Sequence, residues 1–193
     1  MDFDEGNANT AQGPFLNWHS REKLDGSMPS RSFSVRSESG STDVTAQIKK
    51  GVAFDLTTLK TGWCFSNGTI GVSPEWVWNQ TPAKFDVAQP PDVGGVKWKK
   101  GFSVRVALTK TEAVTWSQAG AGAWAGLVSL MRGVKADGGK GETVIAAMSG
   151  VEEIKFAKGT TSAPTFDIKK WSSRPECLVA QVAEEREDIA DEF

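Results

Sequence analysis

Alternation of apolar and polar positions is the strongest structural signal along this chain. Between residues 102 and 109 every second residue is apolar, and the residues between are polar, cationic or small. Residues 31–36 alternate in the same way, with Phe33 and Val35 facing one side. A period of two residues is typical of a strand with one buried face. Both segments are therefore predicted to be half-buried β-strands.

Shorter apolar runs predict further strands, separated by turns and loops. These runs cover residues 14–19, 44–48, 51–56, 113–116, 143–148, 153–157 and 164–171. Residues 57–100 are rich in Gly, Pro, Asn and Trp, and they are predicted to be the least regular part of the chain. A loop-rich stretch of that length in a compact domain is more often functional than a passive connection.

One principal helix is predicted over residues 118–132, because Ser117 can cap its first turn and a broad apolar stripe follows. Residues 120–125 also match a loose form of the dinucleotide-binding fingerprint. That motif requires a parallel sheet of alternating strands and helices, which the pattern does not show. We therefore interpret Gly120, Gly122 and Gly126 as positions where the helix approaches the sheet closely.

This order of elements predicts a mainly β fold with one principal helix. An OB-fold-like β-barrel with long loops fits it, and a β-sandwich is the alternative that the pattern leaves open. The predicted domain covers residues 14–180. The acidic arm at 1–13 and the acidic tail at 181–193 have too little apolar surface to offset the entropy of ordering, so both are expected to be disordered.

Charge is unevenly distributed along the 193 residues. The formal net charge is −2, but residues 1–10 carry −3 and residues 184–193 carry −5, so that residues 11–183 carry +6. A basic body between acidic ends favours a polyanionic partner. The sequence also has eight Trp and ten Phe but no Tyr, and Trp offers a wide face on which a nucleic-acid base can stack.

Residues that usually support enzyme chemistry are few. The chain has one histidine, His19, and two cysteines, Cys64 and Cys177, and none of them belongs to a cluster with metal-ligand or catalytic spacing. No nucleotide-binding lysine motif or membrane-length apolar run is present. We therefore expect a non-enzymatic protein without a cofactor, a metal or a membrane partner, and with reduced thiols.

Cations recur beside aromatic residues, which is the pattern of a surface that holds single-stranded nucleic acid. Cations bind the phosphates and aromatic faces stack the bases without reading sequence. The candidate nucleic-acid-binding residues are Arg36, Trp63, Trp76, Trp78, Lys97, Trp98, Lys99, Lys100, Arg105, Lys169 and Trp171. Trp76 and Trp78 are two residues apart, so they share a face if the segment is extended.

The acidic tail ends in Asp191-Glu192-Phe193. Together with the basic, Trp-rich body and the expected barrel, this ending resembles the single-stranded DNA-binding proteins of bacteria and their phages. Segments such as residues 15–18, 61–65 and 118–124 also look like phage proteins of proteobacterial hosts. In the best-known bacterial tail Pro precedes the final Phe, whereas Glu192 does so here.

The resemblance implies a function in phage DNA replication or recombination in the cytoplasm of the bacterial host. The body would bind single-stranded DNA, and the tail would recruit replication or recombination proteins; a homo-oligomer is possible. The tail residues expected to bind these proteins are Glu187, Asp188, Asp191, Glu192 and Phe193. The alternative is a phage structural or host-interaction protein whose Trp-rich loops form a protein interface.

Overall fold

The computed structural model describes residues 14–69 and 71–179. The described part of the chain is mainly β, with 49% of its residues in strands and 16% in helices. The strands are β1 (Phe15–His19), β2 (Ser32–Ser37), β3 (Gly40–Asp43), β4 (Val52–Phe65), β5 (Glu75–Trp78), β6 (Lys99–Ala107), β7 (Ala113–Ala119), β8 (Thr143–Phe156) and β9 (Gly159–Ser172). The helices are α1 (Thr45–Lys50) and α2 (Ala121–Asp137), and residues 176–179 are also helical.

Within the described residues the strands form one nine-stranded sheet. Its order is β3-β2-β1-β7-β6-β4-β8-β9, and β5 pairs with the far end of β4. The β1–β7 pair is parallel and the other strand pairs are antiparallel. The sheet curls into a half-barrel that is compatible with an OB-like barrel. Between β1 and β9, which do not pair as strands, the Trp18 indole N–H donates to the Ser162 carbonyl at 2.9 Å.

The core lies inside the curl, between the sheet and α2. Trp116 is fully buried, with edge-to-face contacts to Phe33 and Phe102 at 5.3 Å and 4.8 Å between ring centroids. Helix α2 packs along β9 through its glycines. A Cβ atom at Gly122 would lie 2.5 Å from the Ser162 carbonyl oxygen, and one at Gly126 would lie 2.7 Å from the Pro164 ring. The close-approach interpretation is thus confirmed for these two glycines but is wrong for Gly120, where a Cβ would meet nothing within 4 Å. Gly120 instead precedes α2 with a φ of +108°, which favours glycine.

After β9 the chain crosses the face of the sheet that points away from the core. The Arg174 guanidinium forms an ion pair with Asp55 at 2.7 Å, and the Asp55 side chain is fully buried. Four residues later, Leu178 is buried against Ala53 and Ala107. The described part of the chain therefore ends, at Val179, on this outward-pointing face.

One of the strands that the sequence predicts is a helix in the structure. The apolar run at residues 44–48 predicts a strand, but Thr45–Lys50 is helix α1. The Asp43 carboxylate accepts a hydrogen bond from the Thr45 amide, and the Thr45 hydroxyl accepts one from the Phe33 amide. Side chains therefore fix the turn that starts this helix.

The expected irregularity of residues 57–100 is only partly right. Strand β4 continues to Phe65, β5 follows at Glu75–Trp78, and β6 begins at Lys99. Likewise the three C-terminal strands expected at 143–148, 153–157 and 164–171 are two strands of 14 residues each, which form one long hairpin.

Two general features bear on function. In the described part of the chain, no helix is long and apolar enough to cross a membrane. The same residues contain no group of three His, Cys, Asp or Glu side chains placed to hold a metal ion. The acidic arm at 1–13 and the tail at 181–193 lie outside the described residues.

Candidate nucleic-acid interface

The face of the sheet opposite the core, hereafter the outer face, is largely polar. Residues that pair directly across neighbouring strands point to the same face of a sheet. One such row crosses five strands, and it consists of Arg36, Phe15, Thr115, Arg105 and Asp55. The alternation along each strand therefore also places Lys60, Ser103 and Ser117 on the outer face.

Trp76 and Trp78 project from β5 onto this face. Trp76 pairs with Cys64, and Trp78 pairs with Gly62. Their indoles are stacked nearly parallel, with ring centroids 4.4 Å apart and an interplanar angle of 8°. Both side chains are half-buried. The predicted common face of these two residues is therefore confirmed, and the two rings form a single aromatic platform.

Small residues on the neighbouring strands make room for this platform. A Cβ atom at Gly101 of β6 would lie 2.8 Å from a ring carbon of Trp76 and 2.9 Å from the Ala119 Cβ. At Gly62 of β4, a Cβ would overlap the carbonyl oxygen of Val77. The Trp76 ring thus lies across β6 on a floor that only small side chains allow.

A cleft of about 240 Å³ opens beside the platform. It is lined by Cys64, Ser66, Pro74, Trp76, Lys97, Lys99, Ser117, Gln118 and Ala119, none of which is acidic. Both lysines are exposed, so they can meet a phosphate without being desolvated. Burial raises the pKa of the Cys64 thiol to about 11, against a smaller opposing effect from Lys99, so this thiol is not an activated nucleophile.

Two arginines extend the cationic surface along the outer face. Arg36 is exposed on β2, and the half-buried Arg105 donates to the Thr115 hydroxyl at 2.7 Å. Arg105 lies four residues beyond Gly101 on β6, or roughly 13 Å from the platform floor. Arg36 lies three strands further across the sheet, or roughly 14 Å away. The platform, the lysines and the arginines therefore share one continuous face.

Trp63 and Lys100 do not belong to this surface, since they point to the opposite side of the sheet. Trp63 pairs with Lys100 in the β4–β6 ladder, next to the pair formed by Cys64 and Lys99. Successive residues of a strand point to opposite faces, so the two pairs lie on opposite sides of the sheet. The Lys100 ammonium lies 4.7 Å from the Phe85 ring and 6.0 Å from the rings of both Trp63 and Trp124. This cation–π cluster packs residues 79–98 onto the start of α2, which is a structural role.

Three further candidates are also separate from the platform. Trp98 is only 8% exposed and its indole N–H donates to the Pro91 carbonyl, so in this fold it has no free face for a base. The Trp171 indole donates to Asp137 at 2.7 Å and packs against the core. Lys169 lies near it on β9. Trp171 pairs with Val144, and Val144 pairs with Phe54 of β4. Phe54 and Cys64 are opposite Val106 and Lys99 of β6, which are seven residues or ~23 Å apart along the strand.

Sequence reasoning missed Lys60 and the glycine floor. Residues 60, 62 and 64 alternate with residues 59, 61 and 63, which point to the core side of β4. This alternation would have placed the first three on one face had the segment been recognised as a strand. The aromatic partners of Lys100 gave no local signal, because Phe85 and Trp124 are far from it in sequence. The tail residues Glu187, Asp188, Asp191, Glu192 and Phe193 lie outside the described residues.

No protein-family model, curated protein or solved structure matches this chain. The resemblance to single-stranded DNA-binding proteins therefore remains an interpretation of the residues that carry it. The case for function depends on the geometry of the outer face.

Proposed function

We propose that this protein binds single-stranded DNA without sequence preference on the outer face of its sheet. The observation that carries this proposal is the parallel Trp76–Trp78 platform beside a cleft that is lined by lysines and has no acidic side chain. An aromatic platform at the surface of a sheet suits unstacked bases, because the bases of a duplex already stack on one another.

The geometry limits how a base can bind. The two indoles are in van der Waals contact, so a base stacks on an outward ring face and does not insert between them. Base–aromatic stacking contributes about 1–3 kcal/mol per base and tolerates every base, since each has a π-face. The platform therefore provides affinity with little sequence discrimination.

The surrounding cations would hold the phosphates. Lys97 and Lys99 lie at the cleft, and Arg105 and Arg36 lie further along the same face. Each phosphate contact with single-stranded DNA makes the binding constant more sensitive to salt, with a slope of about −0.7 in log–log terms. Binding by this surface should thus weaken steeply as salt is raised.

The tail belongs to the proposal through the resemblance described above. It would bind replication or recombination proteins of a phage-infected cell through Phe193 and its acids, in the cytoplasm of the bacterial host. Deleting residues 184–193 is expected to abolish capture of such partners in a pull-down. Because the deletion removes a net −5, DNA binding should stay the same or tighten. A clear loss of DNA affinity would contradict this role.

The binding test is a fluorescence titration with oligo-dT at two salt concentrations. Wild-type protein should show quenched Trp emission and an affinity that falls with salt. Replacing Trp76 and Trp78 by Leu should remove most of the quenching and weaken binding ~10-fold or more, since one stacked base is worth about 1–3 kcal/mol.

Control variants far from the platform show whether a loss of oligo-dT binding comes from the proposed site. Trp171→Phe removes an indole roughly 20 Å or more from the platform, so it should leave quenching and affinity unchanged. Similarly, Lys99→Ala should lower both the affinity and the salt slope, whereas Lys169→Ala should not. Equal effects from the site variants and the distant controls, or the absence of binding at low salt, would overturn the proposal.

A further inference from the structure

The hairpin formed by β8 and β9 extends beyond the rest of the sheet. Strand β4 pairs with β8 only at residues 143–146. Residues 149–156 of β8 therefore pair with β9 on one side and have no strand on the other in the described part of the chain. Most of these side chains are exposed, including the apolar Val151 at 36% and Phe156 at 51%.

The other long edge of the hairpin is covered. On β9, the Ser162 carbonyl accepts from the Trp18 indole, and the Thr160 carbonyl accepts from the Arg21 guanidinium. Helix α2 also meets this edge at Gly122, where a Cβ would contact the same Ser162 carbonyl. The edge of β8 is thus the one that offers its backbone to another strand.

We propose that two copies of this chain pair antiparallel through residues 152–156 of β8, with Ile154 at the two-fold axis. The hairpin turn has two residues, and Phe156 pairs with Gly159 across it. The two residues that flank a two-residue turn bond to each other through their backbone N–H and C=O groups. Hydrogen-bonded pairs then alternate with non-hydrogen-bonded pairs along the ladder. The backbone groups of Glu153 and Lys155 therefore point towards the free edge.

Charge selects the register of this pairing. With a two-fold axis perpendicular to the sheet, paired residues must have side chains on the same face, so the pairing has to centre on one residue that faces its own copy. Only a few such centres lie on the free edge. Centring on Glu152, Glu153 or Lys155 would place like charges opposite each other, which is destabilising. Centring on Val151 or Phe156 would avoid this repulsion but would form no ion pair. Centring on Ile154 places Glu153 opposite Lys155 of the second copy, and the reverse, so that two ion pairs flank an apolar centre.

A second copy is therefore the occupant that this edge fits best. The outward charges have another possible use, because charged side chains on an edge strand also prevent pairing. The two roles, pairing with a second copy and preventing any pairing, predict different results when the charged residues are replaced by residues of opposite charge. A protective edge stays unpaired in all charge variants, whereas a self-complementary edge responds to the sign of each charge.

The test measures the molar mass of the full-length chain in solution by light scattering after size exclusion. Wild-type protein should have twice the mass of one chain. Glu153→Lys should give the mass of one chain, because the new ammonium group then faces that of Lys155 in the second copy. The double exchange Glu153→Lys with Lys155→Glu should restore the dimer, since opposite charges face each other again.

A control at the hairpin tip completes the design. Lys158→Glu changes charge by the same amount outside the paired segment, so the dimer should persist, and circular dichroism should show that each variant stays folded. A monomeric wild type, a dimer that Glu153→Lys does not disrupt, or a double variant that stays monomeric would each overturn the proposal. None of these results depends on DNA binding.

Discussion

At the scale of residues, the Trp76–Trp78 platform depends on the small size of the residues beneath it. Trp76 can lie across β6 only because position 101 carries no side chain and position 119 carries only a methyl group. The sequence showed the alternation of Trp76 and Trp78, but not the glycine floor, because the contact between β5 and β6 is not local. The two rings and their floor therefore act as one unit.

Replacing Gly101 by Ala tests this unit. The new Cβ would lie 2.8 Å from the Trp76 ring and 2.9 Å from both the Ala119 Cβ and the Gln118 carbonyl oxygen, so the ring must move. Overpacking of this kind costs about 1–3 kcal/mol in the free energy of unfolding. We expect weaker oligo-dT binding in the same titration.

Gly150→Ala is the matched control for Gly101→Ala. A Cβ at Gly150 on β8 would meet only the Thr165 hydroxyl, at 3.3 Å. The control should therefore bind oligo-dT as the wild type does. Unchanged binding by Gly101→Ala would mean that the position of the Trp76 ring does not matter for DNA.

Cys64 provides a chemical probe of the cleft. Its side chain is buried, at 7% exposure, and its pKa is raised from 9.0 to about 11 because burial disfavours the thiolate. A thiol reagent at pH 8 should thus modify Cys64 slowly in a Cys177→Ala background, and about tenfold faster per pH unit up to pH 10. Bound oligo-dT should slow the reaction further.

The sign of the effect on stability follows from the same pKa. The folded state holds the thiol proton more tightly than the unfolded state, so Cys64 stabilises the fold below pH 9. That contribution is lost as the pH rises through about 11. Fast modification of Cys64 at pH 7 would contradict the buried position assigned to it.

At the scale of elements, the C-terminal segment is held to the outer face by one buried ion pair. The Asp55 carboxylate accepts from Arg174 at 2.7 Å and from the Thr57 hydroxyl at 2.6 Å. The Asp55 side chain is fully buried, and that of Arg174 is only 17% exposed. This contact fixes where the chain leaves the sheet before the tail.

Removing the arginine should destabilise the whole domain. Arg174→Ala leaves a buried carboxylate without its counter-charge, which costs about 3 kcal/mol or more by denaturant unfolding. Adding Asp55→Asn should recover part of the loss, because the uncompensated charge is then gone. The control is Glu142→Gln, an exposed acid 3.8 Å from Arg174, for which a change under ~0.5 kcal/mol is expected. A similarly small effect of Arg174→Ala would contradict the buried pair.

The limits of sequence reading are clearest at this scale. Phe102 and its alternating neighbours predict β6 because nothing interrupts their pattern. The strand predicted at 51–56 is shorter than β4 because the register of β4 shifts between Asp55 and Lys60, which breaks the alternation. Residues 44–48 are ambiguous because a short apolar run fits a helix as well as a strand, and long-range hydrogen bonds decide between them.

At the scale of the whole molecule, the curled sheet separates two sets of aromatic residues. One set, with Trp116 at its centre, fills the core, while Trp76 and Trp78 remain on the outer face with most of the candidate cations. The sequence could count the indoles and the charges but could not sort them between the two faces. The fold does this through strand register, and it places Trp76 and Trp78 on the face for which we propose single-stranded DNA binding.

The most direct test of that surface is ultraviolet cross-linking of oligo-dT to the full-length protein, followed by mass spectrometry of the peptides. Fragmentation of the cross-linked peptides should locate the cross-links at Trp76 or Trp78, and they should disappear when unlabelled oligo-dT competes. Cross-links confined to Trp63, Phe85, Trp124 or Trp171 would contradict the assignment of the outer face as the DNA-binding surface.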